Sequence, residues 1–131
     1  MRTLFIAAVL GALGVVLGAF GAHGLKAVLM PDKLAAFQTG VTYQFYHAIA
    51  LLGVGILEIV RPDTRWKWVR LAFLVGVIFF SGSLYILAPA DYWGIAENVK
   101  FLGPITPLGG LSFIIGWVMV AIISLKPQQA N

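Results

Sequence analysis

The sequence predicts an all-α membrane protein, a four-transmembrane-helix bundle, on three observations. The 131 residues are 60% hydrophobic and only 11% charged, with a mean hydropathy of +0.94, which leaves too little polar surface to cover a soluble fold. Uncharged runs at 3–22, 34–57, 71–90 and 101–125 each reach the roughly 20 residues a helix needs to cross about 30 Å of hydrocarbon. Each run is continuously apolar, whereas a membrane barrel strand alternates over about 10 residues. The predicted spans are about 3–23, 41–60, 70–88 and 107–125, and 1–131 forms a single transmembrane domain with no soluble one beside it.

The N-terminal run is read as the first span rather than as a secretory signal, because its apolar part is span-length. Ala7, Gly11, Gly14, Gly18 and Gly21 are spaced four, three, four and three within it, so they share one helical stripe. Small residues let helix backbones approach closely, and in lipid that packing replaces the missing hydrophobic drive between helices. The stripe is therefore a contact face, toward the bundle or toward another subunit. In the link between spans one and two, Pro31 can open a short helix that lies in the interface or runs straight into span two.

Span two opens with Tyr43, Gln44 and His47, at three- and four-residue separations that place them on one helical face. Near its far end, Glu58 stands three residues before Arg61 and seven before Arg65, and is read as an interfacial ion-pair partner rather than an intramembrane proton carrier. The next link sets Trp66 and Trp68 among basic residues, the pairing of an aromatic belt with positive anchors. Span three carries Ser81, Ser83 and Tyr85 toward its end, and Tyr92 and Trp93 come after it as a second belt. Thr106 is read as the cap of span four, with Pro107 in its first helical position. Gly109, Gly110 and Gly116 then allow close helix approach.

Orientation is set by the positive residues, which accumulate in short cytoplasmic segments. Arg61, Arg65, Lys67 and Arg70 crowd the second link, and Arg2 and Lys126 mark the two ends; Lys26, Lys33 and Lys100 are left for the other links. Both termini are thus expected in the cytoplasm. The net charge of +4 reads as this orientation signal with some attraction to anionic headgroups. Nucleic acid is not an expected partner, since no solvated basic surface with groove-reading elements is present.

All the unusual polar residues then fall toward the outer ends of the helices. A histidine, a glutamine and several hydroxyls do not face lipid tails without a cost of several kcal/mol, so they face one another, a wet cavity or a ligand. The ligand reading gives a pocket for a lipid headgroup, a quinone-like molecule or a small solute, bound by His23, Tyr43, Gln44, His47, Ser81, Ser83, Tyr85 and Thr106. His47 is its main hydrogen-bonding group, oriented by Gln44 or Tyr43. The alternative is a polar clasp that fixes helix register, in a structural or accessory subunit of a membrane complex. A further alternative is an oligomeric small-solute transporter drawing on His23, His47 and Glu58. Membrane lipids and a homo-oligomeric or membrane-complex partner are the expected contacts.

Catalytic chemistry has no complete constellation: Ser81 or Ser83 with His47 lacks a carboxylate orienter at that depth. A metal site is not expected from two histidines with no ligand at i+3 or i+4, and no cofactor is implied. The absence of cysteine excludes disulfides, thiolate nucleophiles and thiolate metal sites.

Four ordered blocks, LGAFGAHGL (17–25), FQTGVTYQFYHAIALL (37–52), FSGSLYILA (80–88) and PITPLGGLSFIIGW (104–117), resemble the signature stretches of the small membrane proteins catalogued as domain of unknown function 423. The resemblance covers essentially the whole chain. It implies a four-helix, multi-pass protein of the bacterial inner membrane, similar to proteins of eukaryotic organelles. It implies no activity, and the matching positions, from Gly18 and His23 through Gln44, His47 and Tyr85 to Thr106 and Gly110, carry no catalytic role with it.

Overall fold

The computed structural model describes residues 1–125; among them the ordered elements are all helical, with no strand. Lys126, one of the residues that predict orientation, lies outside the described residues. Four long helices, α1 (Arg2–Leu25), α2 (Pro31–Val60), α3 (Trp66–Leu87) and α5 (Ile105–Ser124), are long and apolar enough to cross a membrane. A single turn, α4 (Ala96–Val99), sits in the last link. Helix α1 lies along α2, α2 packs on α3, and α3 packs on α5, so α1 and α5 form the flanks.

Pro31 opens α2 at its first position with Asp32 in the first turn, where a missing N–H costs nothing and a carboxylate meets the positive end of the dipole. The helix then runs 30 residues without a break, about 45 Å at 1.5 Å per residue. Its start is therefore ten residues ahead of the predicted span, and the second half of the first link is helix. Gly40 does not interrupt it because it is a close-packing point, where an added Cβ would meet the Tyr85 ring at 3.0 Å. Since α2 exceeds the hydrocarbon thickness, its first turns stand in the interface, where Lys33 pairs with Asp91 at 3.1 Å.

Helix α5 also begins earlier than expected. Its first residue is Ile105, and Pro104 takes the N-terminal flanking position. Thr106 therefore lies inside the first turn and does not cap it; its hydroxyl turns to the Leu102 carbonyl at 3.4 Å and to Ser83.

Small residues set both flanking interfaces. On α1, Ala7, Gly14 and Gly21 are buried, and Cβ atoms at Gly14, Gly18 and Gly21 would meet Phe45, Val41 and Phe37 of α2. Helix α2 answers with Gly55, which accommodates Leu4. The stripe thus meets the neighbouring helix, except at Gly11, which has nothing within 4 Å. Between α3 and α5, Gly76 receives Phe113, Gly116 receives Phe73, and Gly109 lies against the backbone of Phe79 and Phe80. Gly110 has only the Phe80 ring near it, at 3.8 Å. The core between these contacts is Leu51, Val54, Trp66, Val69, Phe73, Val77, Phe113 and Ile123, joined by Ala7.

Two segments are wound as π-helix, Phe20–Leu25 at the end of α1 and Val77–Ser81 in the middle of α3. Each is closed by an i→i+5 bond, Lys26 N–H to Gly21 C=O at 3.1 Å and Gly82 N–H to Val77 C=O. Such a segment inserts an extra residue into the turn and rotates the rest of the helix about its axis. In α3 the rotated part carries Ser83 and Tyr85, two residues of the predicted polar layer.

Candidate functional site

His47 is buried at the centre of an aromatic cluster. Its ring stacks on Phe113 with centroids 3.5 Å apart and planes 9° from parallel, and Phe73 meets it edge-on at 5.2 Å. The Trp117 indole N–H points at His47 Nε2 at 3.1 Å, and His47 Nδ1 lies 2.7 Å from the Tyr43 carbonyl. An indole N–H only donates and a carbonyl only accepts. Nε2 must therefore be the acceptor and Nδ1 the donor, which specifies the neutral, Nδ1-protonated imidazole. Tyr43 orients it through its backbone, while the Tyr43 ring packs on Phe80 at 4.7 Å. The Gln44 amide bonds other partners.

Gln44 instead bonds to α1 and α3. Its Nε2 donates to the Leu10 carbonyl of α1 at 2.7 Å, and its Oε1 accepts from the Tyr85 hydroxyl of α3 at 2.8 Å. One buried side chain thereby ties three helices. A third link joins α3 to α5: Ser83 Oγ donates to the Phe80 carbonyl at 2.9 Å and stands 2.7 Å from Thr106 Oγ1. Ser81 is completely buried, and its hydroxyl has no partner. His23 is exposed on the π-wound end of α1. Gln44, His47, Ser83, Tyr85 and Thr106 thus bond mostly to one another, to backbone and to the Trp117 indole, with His47 and Gln44 reaching different neighbouring helices from adjacent positions on α2.

A second polar cluster closes the opposite, basic end. Glu58 pairs with Arg70 at 2.6 Å, and Thr3, fully buried on α1, donates to Glu58 and accepts from Arg70 at 2.8 Å. The expected ion-pair role of Glu58 is therefore filled by Arg70 of α3, while Arg65 pairs with Asp63. Arg65 folds back on Asp63, and hydrogen bonding to that carboxylate pushes its already high pKa further up. The Trp66 indole donates to the Arg61 carbonyl at 3.0 Å, so this tryptophan is core rather than belt.

Three functional contacts escape sequence reasoning. Trp117 stands in the apolar inner half of span four with no polar neighbour to mark it; its only signal is position, one residue past the Gly109–Phe113–Gly116 packing face. Ser112, whose Oγ donates to the Ala72 carbonyl at 2.7 Å, and Thr3 likewise depend on a helix distant in sequence. Among the described residues no group of three or more His, Cys, Asp or Glu gathers where it could hold a metal.

Four apolar helices with polar side chains turned inward define an integral, multi-pass membrane protein. The family model described as "Protein of unknown function (DUF423)" matches residues 17–110, and the chain belongs to that family. It is 42% identical to UPF0382 membrane protein SAB0533 of Staphylococcus aureus over 127 residues, covering 94% of this chain and 96% of the relative. It is 41% identical to membrane protein YwdK of Bacillus subtilis, covering 94% and 95%. It is 33% identical to inner membrane protein YgdD of Escherichia coli K12, covering 96% and 91%. No solved structure gives a significant match. The chain is a multi-pass protein of the bacterial inner membrane.

Proposed function

We propose that this protein is a structural or accessory subunit of a membrane complex, whose polar layer locks four helices into one register. The observation that carries this reading is His47. Both its ring nitrogens are engaged, by the Tyr43 carbonyl and the Trp117 indole, and its faces are covered by aromatic rings, so a ligand would have to displace part of the core to reach it. Buried polar groups satisfied on both sides specify helix register more than they add stability, since such bonds average about 0.6 kcal/mol in a membrane. The flanking helices α1 and α5 leave most of their apolar surface to lipid or to a partner, a second copy included.

The test is native mass spectrometry of the protein released from native-lipid nanodiscs, wild type beside His47→Ala. A locking role predicts that no adduct depends on His47, so that whatever lipid wild type retains is retained by the variant as well, and that the melting temperature of the variant is lower. A reproducible adduct lost in the variant would refute it.

That second outcome belongs to the ligand reading, in which His23, Tyr43, Gln44, Ser81, Ser83, Tyr85 and Thr106 join His47 around a lipid or small molecule. One observation favours it, the unpartnered hydroxyl of Ser81 beside the π-wound turn of α3. Transport gains no such support. Glu58 lies eleven residues from His47 on α2, roughly 16 Å, with Leu51 and Val54 of the core between them.

A further inference from the structure

Ala72 and Ser112 are small residues where α3 and α5 meet, and Ser112 Oγ donates to the Ala72 carbonyl. Longer side chains flank that contact and leave a groove between the helices, about 430 Å³, lined by Trp68, Leu71, Ala72, Val75, Ser112, Ile115 and Met119. It runs seven residues along each helix, Trp68 to Val75 and Met119 to Ser112, roughly 10 Å. Its walls are apolar, and Trp68, Leu71 and Ile115 are exposed on the face that meets lipid tails.

The mouth of the groove is cationic. Lys67 Nζ stands 5.2 Å over the Trp68 ring. The acids beside it on this link are engaged elsewhere, Glu58 by Arg70 and Asp63 by Arg65. Lys67 is fully in reach of the interface, being exposed, and forms no ion pair within the described residues.

We propose that this groove seats one anionic phospholipid of the leaflet at the basic end. The phosphate is held at Lys67, the Trp68 indole lies at the glycerol level, and one acyl chain lies in the groove over Ala72 and Ser112. A transmembrane helix of a partner would fill the same apolar walls but would give Lys67 no reason to prefer an anion. A headgroup with a tail meets both halves of the site. The inference is independent of the polar layer, which lies toward the other end of the bundle.

The experiment is native mass spectrometry of the full chain exchanged into nanodiscs of equimolar palmitoyl-oleoyl phosphatidylglycerol and phosphatidylethanolamine. Wild type is expected to retain one phosphatidylglycerol in about fivefold preference, which is what one basic residue contributes at an anionic surface. In Lys67→Gln, on an exposed position, the preference falls to near one at unchanged melting temperature. In Ala72→Leu the bound lipid of either class is lost. Retention of the two lipids in their bulk ratio by wild type would overturn the proposal, as would a preference that survives Lys67→Gln. If Ala72→Leu does not fold, the Lys67→Gln comparison decides alone. Capture of a partner helix with no retained lipid would also overturn it.

Discussion

Replacing Trp117 by Phe isolates the indole bond to His47, because the ring that packs on Phe73, with centroids 5.2 Å apart, is largely kept while the only N–H is lost. The bond is 3.1 Å long and lies inside a hydrocarbon span, where water cannot replace it. Interhelical bonds in membranes average about 0.6 kcal/mol and reach about 1.7. Leaving a buried acceptor unpaired raises the cost toward the top of that range. The expected loss is therefore about 1–2 kcal/mol. The variant should be made alone and in a His47→Phe background, which keeps a ring stacked on Phe113 but has no acceptor. There the indole has nothing to donate to, so removing it should cost about 0.3 kcal/mol or less. The assay is reversible unfolding in mixed micelles, read as a double-mutant cycle, with a coupling near 1 kcal/mol expected. A coupling below about 0.3 kcal/mol would refute the argument that this bond orients the histidine. Nitrogen NMR of the imidazole gives an independent check, since it should report a neutral ring protonated at Nδ1.

Glycine substitutions should separate by what a Cβ meets. Gly109→Ala drives a methyl into the Phe79–Phe80 backbone and should cost about 1–3 kcal/mol in the same unfolding assay, whereas Gly53→Ala has open space and should be neutral or stabilising by up to about 1 kcal/mol. At the basic end, Glu58→Ala leaves Arg70 without its carboxylate; because the pair is 20–30% exposed, the loss should be about 1–2 kcal/mol, below that of a fully buried pair, and Glu58→Ala with Arg70→Met should recover part of it. Orientation is tested by a reporter fused to the C-terminus: a fluorescent protein that matures only in the cytoplasm should light up, and periplasmic phosphatase activity from the same junction would reverse the expected topology.

How much of this was legible depended on the range of the interaction. Composition and run length were enough for span number and class, because lipid demands satisfied backbone in every segment irrespective of what the segment packs against. The small-residue stripe on α1 was also legible, as spacing along a single helix defines a face. The ends of helices were less so. Whether the helix opened by Pro31 lies apart in the interface or runs straight into span two was open in the sequence, and the structure has one continuous helix from Pro31 to Val60.

The polar residues show the same division. That Gln44, His47, Ser83 and Tyr85 must find partners is a consequence of their chemistry in hydrocarbon. Which partners they find depends on the rotation of each helix about its axis. On that rotation His47 meets Trp117 and Gln44 meets Leu10 and Tyr85, although the two stand three residues apart. The π-wound turn at Val77–Ser81 adds one residue to α3 and resets the facing of everything after it, a change no periodicity reveals. Glu58 pairs with Arg70, twelve residues on, because helix packing brings the side chains of α1, α2 and α3 together at one level. Composition and local spacing thus settled what must be buried and in what kind of helix. Only the tertiary structure decided which buried group answers which, since that choice rests on contacts between segments tens of residues apart.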